Sequence, residues 1–136
     1  MKYFTIKELC KSDTATRKRI VNVPTAEIEC HLVDLVDNVL DPLREAWGGP
    51  ITVNSGYRCP ALNRAVGGSP TSHHVKGMAA DLTVGSRADN KKLFDLVLKL
   101  NLPFTQIISE KTNAIGPLWV HISYDPSNLK RQIIKL

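Results

Sequence analysis

The chain has 136 residues, of which 43% are hydrophobic and 23% charged. These proportions fit one globular core and exclude a disordered or low-complexity chain. No apolar run approaches the roughly 20 residues needed to span a bilayer, and Lys2, Lys7 and Glu8 interrupt any apolar signal region at the start. The expectation is a soluble chain, cytoplasmic as encoded, with no membrane insertion. A net charge of +5 would favour approach to a polyanion. The one tight basic run, Arg17-Lys18-Arg19, has no interleaved aromatic residues, so no nucleic-acid partner is expected. Cys10, Cys30 and Cys59 are odd in number and widely spaced, which argues against a disulfide framework.

In chain order, Thr5-Ile6-Lys7-Glu8 has capping-box spacing and predicts a short helix. The polar stretch from Lys11 to Arg19 reads as a loop. Pro24-Thr25 then precedes a long helix, with Ile28, Leu32, Leu35, Val36, Val39 and Leu43 on one face. Asp41-Pro42 should kink or divide it, and Gly48-Gly49 ends it. Pro50 to Val53 reads as a short strand. Asn54 to Gly77 has loop composition, with a helical turn near Leu62 to Val66. Met78 to Val84 predicts a strand that puts Ala79, Asp81 and Thr83 on one face and Ala80, Leu82 and Val84 on the other. Ser86 opens a helix to about Leu100, striped by Leu93, Leu96, Val97 and Leu100. Phe104–Glu110 and Leu118–Ser123 read as strands joined by a turn at Asn113 to Gly116, and Arg131–Leu136 as a last edge strand. Helices followed by a small sheet with one inserted helix make an α+β pattern, a small antiparallel sheet packed against helices.

The chemistry concentrates in Ser72-His73-His74-Val75-Lys76-Gly77-Met78-Ala79-Ala80-Asp81 and in Trp119-Val120-His121. A carboxylate among apolar neighbours, as at Asp81, is costly to bury without a positive partner. A metal ion held by His74, Asp81 and His121 is one such partner, and two histidines with a carboxylate suit catalytic zinc. Plainer readings stand beside it: a salt bridge from Asp81 to an Arg or Lys, and His121 as a packed strand histidine. His31 reads as solvated. His73 should point away from His74 if that segment is extended. Cys59 reads as a small packed side chain rather than a ligand or nucleophile.

The pattern Ser72-x-His74-x-x-Gly77-x-Ala79-x-Asp81 with Trp119-Val120-His121 resembles the zinc D-Ala-D-Ala carboxypeptidase family, in the branch related to its C-terminal catalytic domain. That branch includes many phage and mobile-element proteins. Asp41-Pro42-Leu43-Arg44, Ser55-Gly56-Tyr57-Arg58 and Leu62-Asn63-x-x-Val66-Gly67-Gly68 extend the resemblance over nearly the whole chain. It implies a hedgehog/DD-peptidase-like fold and a single zinc-peptidase-like domain over residues 1–136. It also implies Zn2+ on His74, Asp81 and His121, with Ser72 hydrogen-bonding near the site. Arg58 would sit in the cleft to hold a carboxylate or stabilise an oxyanion; its plainer role is a structural ion pair.

The implied activity is hydrolysis of peptidoglycan stem peptides, at a D-Ala terminus or between L- and D-residues. Such a chain would meet the cell wall only after release. Several members carry an acid three positions before the last histidine, where this chain has Leu118. Glu110 is the expected general base, placed opposite His121 by a hairpin, unless it is simply an exposed strand end. Two other classes fit the sequence: a zinc-containing module without hydrolysis, and a phage structural protein that binds wall polymer through its charge.

Overall fold

The computed structural model describes all 136 residues. Helix α1 (Ile6–Cys10) starts where Thr5 Oγ1 accepts from the Glu8 amide at 3.1 Å. Helix α2 (Asp13–Lys18) occupies the stretch read as a loop. Ser12 caps it and Arg19 closes it in the left-handed region, but Ala15 is its only buried residue. A helix with one buried position leaves no apolar period to read.

Thr25 caps helix α3 (Ala26–Leu35). The division expected near Pro42 is a π-helical turn, Val36–Leu40, leading into helix α4 (Asp41–Trp47). The Asp41 amide reaches back five residues to the Val36 carbonyl. The wider turn lies just before Pro42, which has no N–H and would crowd the carbonyl four residues earlier. Gly48 ends α4. Strand β1 (Thr52–Ser55) begins two residues later than expected, and helix α5 is Pro60–Ala65. A 3-10 turn, His73–Lys76, leads into strand β2 (Ala79–Thr83). Helix α6 (Arg87–Lys99), capped by Ser86, buries Asn90, Leu93, Phe94 and Val97, while Leu100 stays exposed. Strands β3 (Gln106–Glu110), β4 (Trp119–Ser123) and β5 (Gln132–Lys135) follow.

The sheet order is β1-β2-β4-β3-β5. Four strands are antiparallel as expected, and β5 adds at the edge, parallel to β3. The pleat separates two faces. Ala80, Leu82, Ile107, Val120 and Ile122 turn toward a core shared with Leu32, Leu35 and Val36, and with Leu93 and Val97 of α6. Fully burying one such aliphatic side chain is worth about 1.5–3 kcal/mol, so the helices hold this face. Asp81, His121 and Ile108 pair across β2, β4 and β3 on the other face.

Candidate metal centre

The site begins with a local turn. Ser72 Oγ accepts from the His74 amide at 3.2 Å, and Gly77, at φ +70°, ends the 3-10 turn. That sharp bend carries the chain from His74 into β2, where Asp81 pairs directly with His121 of β4. All three side chains are buried: His74 is 3% exposed, Asp81 8% and His121 8%.

Asp81 divides its two oxygens. Oδ2 faces Arg58 Nη2 at 3.4 Å, and Oδ1 lies 3.2 Å from His74 Nε2 and 2.9 Å from His121 Nδ1. The salt bridge considered as a plainer reading is therefore present alongside the cluster. Burial alone would raise the Asp81 pKa. The two imidazoles outweigh it and hold the carboxyl well below its ordinary range.

The His74 ring is oriented from behind, with Nδ1 at 2.7 Å from the Gly56 carbonyl. A carbonyl only accepts, so Nδ1 carries the proton. With the ring neutral, Nε2 faces the Asp81 oxygen as a lone pair. A proton on Nε2, which makes the hydrogen bond that lowers the Asp81 pKa, or a metal ion between the two relieves that contact. The candidate ligand atoms of His74, Asp81 and His121 lie within 4.8 Å of one another. Two imidazoles and a carboxylate, one ring fixed through its other nitrogen by a carbonyl, fit a metal ion.

The cluster opens on a cleft of about 430 Å³ whose lining includes Arg58, Ser72, His73, Glu110 and Trp119. Arg58 sends Nε to Ser55 Oγ at 2.9 Å and Nη1 to Asn63 Oδ1 at 3.1 Å. His73 does not point away from the site. The segment is a 3-10 turn rather than extended chain, and both histidines line the cleft. Burial, then His121 and Lys76, push the His73 pKa down.

The Glu110 register also differs from expectation. Ile108 stands opposite His121, and Glu110 pairs with Trp119. The shift is two residues, which preserves the face. Glu110 is thus a diagonal neighbour of His121, about 7–8 Å away along the backbone rather than about 5 Å, and it still lines the cleft. The Leu118 amide donates to the Glu110 carbonyl at 2.9 Å, so the position lacking an acid sits beside the one that has it.

Cys59 lies outside the cluster, and its amide donates to Asn22 Oδ1 at 2.8 Å. His31 is half-buried rather than solvated: its Nδ1 meets the Lys76 carbonyl at 2.8 Å and ties α3 to the 3-10 turn. A larger hollow of about 690 Å³ lies between α1, α2 and Pro24. It contains no group of converging ligand atoms, so we place the chemistry in the smaller cleft.

The Gly56 carbonyl, Ser55 and Asn63 are functional groups of the site that their residue types alone do not single out. The signal was present, since Ser55-Gly56-Tyr57-Arg58 and Leu62-Asn63 are among the resembling segments, but spacing alone does not reveal which contact each makes.

Residues 2–123 match the peptidase M15 family. Over 87 residues the chain is 42% identical to the zinc D-Ala-D-Ala carboxypeptidase of Streptomyces albus G, a stretch covering 62% of this chain and 32% of that protein. The chain therefore spans about a third of that relative's length. The α+β layout is hedgehog/DD-peptidase-like, as that family's is. With a match over nearly all of its sheet and helices, this chain belongs to the peptidase M15 family.

Proposed function

We propose that this chain binds one zinc ion through His74, Asp81 and His121 and hydrolyses a peptide bond in peptidoglycan stem peptides, residues 1–136 acting as one domain. The observation that carries the reading is the buried His-Asp-His cluster opening on a cleft that also holds Glu110 and Arg58. The name of the Streptomyces albus G relative supports both the metal and the substrate class. When bound, zinc supplies Lewis acidity, which polarises a carbonyl and makes a water molecule more acidic.

The chain's own groups do the rest. The Gly56 carbonyl holds the His74 tautomer that presents Nε2 to the ion. Asp81 stays ionised because its pKa is depressed. Glu110 takes a proton from the attacking water and returns it to the leaving amine. Arg58 spends three of its N–H groups on Ser55, Asn63 and Asp81. A guanidinium has five, so two remain for a substrate carboxylate or for the developing oxyanion.

Digestion of purified peptidoglycan with mass analysis of the products tests the proposal. Release of D-Ala marks carboxypeptidase action, and new internal termini mark cleavage between L- and D-residues. Glu110→Gln should cut the rate about 10²–10⁴-fold with zinc content unchanged. A zinc-loaded parent that leaves the wall intact would contradict the hydrolase reading.

Leu118 favours a second reading, in which the chain keeps the metal and binds wall without cutting it. It predicts salt-sensitive wall binding that Glu110→Gln leaves untouched.

A further inference from the structure

Asn63 sits in α5 and is 2% exposed. A buried amide is costly unless both ends are paired, and here both are. Oδ1 accepts from Arg58 Nη1 at 3.1 Å, and Nδ2 donates to the Ser69 carbonyl at 2.8 Å. The amide cannot be flipped, because a guanidinium only donates and a carbonyl only accepts. Asn63 does not line the cleft that Arg58 lines.

The loop before His74 is built against this pair. The Gly68 amide donates to the Asn63 carbonyl at 2.9 Å. A Cβ at Gly68 would lie 2.1 Å from Asn63 Oδ1 and 2.9 Å from Arg58 Nη1. The backbone therefore presses on the Asn63–Arg58 contact and leaves room for glycine alone. Ser55 holds Nε at 2.9 Å and Asp81 meets Nη2 at a looser 3.4 Å, and Asn63 is the side-chain partner of Nη1, completing the restraint on the rigid plane.

We infer that Asn63, clamped by Gly68, is a positioning residue that fixes the plane of the Arg58 guanidinium and so the direction of its two unspent N–H groups. The inference rests on the role for Arg58 given above. Asn63 touches no substrate and acts only through Arg58.

The test is a double-mutant cycle on kcat/KM with zinc-loaded protein, with zinc content and melting temperature measured for each variant. Asn63→Leu should lower kcat/KM about 10-fold, the scale of one charge-assisted hydrogen bond. In an Arg58→Ala background the same change should cost less than about 2-fold. Gly68→Ala, which displaces the contact from the other side, should behave alike. Equal losses in both backgrounds would overturn the inference and leave the Arg58 role standing. A harmless Arg58→Ala would overturn both.

An independent readout needs no cleavage at all. Nitrogen NMR of the Arg58 side chain should show hindered guanidinium rotation in the parent, freed in Asn63→Leu. An unchanged spectrum in that variant would also overturn the inference.

Discussion

Gly56→Ala probes the link between the N-terminal helix and the metal centre. A Cβ at position 56 would lie 2.2 Å from the Leu9 carbonyl oxygen and 3.0 Å from its carbon, both backbone atoms that cannot rotate away. Carbon–oxygen contacts settle near 3.3–3.6 Å, so the two segments must part by about 1 Å. Two hydrogen bonds depend on this approach. The Tyr57 amide donates to Leu9 O at 2.8 Å, and His74 Nδ1 donates to Gly56 O at 2.7 Å. Lengthening either by about 1 Å takes it past hydrogen-bonding range. Each buried group left unpaired costs about 1–3 kcal/mol. We expect about 3 kcal/mol of destabilisation, a fall of roughly 10 °C in melting temperature for a chain of this size. Freeing the ring that presents Nε2 should also weaken metal binding about 10–100-fold. Thermal unfolding of metal-free protein and chelator competition measure the two effects separately. Parent-like values in both would refute the claim that Gly56 is glycine for lack of space and that its carbonyl orients His74.

The Asp81 pKa is depressed below its ordinary 3.8. Its contribution to folding is therefore complete above the unfolded value and is lost as pH falls through the folded one. In metal-free protein, the melting-temperature gap between parent and Asp81→Asn should be widest near neutrality and narrow below about pH 4; a gap constant with pH would contradict this. Cys30 is exposed, whereas burial pushes the Cys10 thiol up to about 11. A neutral alkylating agent should label Cys30 well before Cys10, and equal rates by peptide mass mapping would count against that burial.

Legibility in the sequence followed the range of the interactions. Thr5, Thr25 and Ser86 cap their helices through bonds three residues away, so their positions could be read from spacing. Helix α2 has a comparable cap at Ser12 but buries only Ala15, and without an apolar stripe it reads as loop. The parallel addition of β5 to β3 is a choice of partner among strands, which alternation along one strand does not encode. At the site the kind of group matters as well as range. His121 lies 40 residues from Asp81 yet is legible beside His74 and Asp81, because all three side chains are metal-ligand types, whereas a backbone carbonyl occurs at every residue. The Gly56 carbonyl behind His74 lies 18 residues away. That long-range hydrogen bond appears only when α5 and the loop fold back.

Elemental analysis of purified protein, parent beside His74→Ala, tests the central claim most directly. The account predicts about one zinc per parent chain and little in a folded His74→Ala variant. A folded parent that carries no metal and takes up none when zinc is added would contradict it.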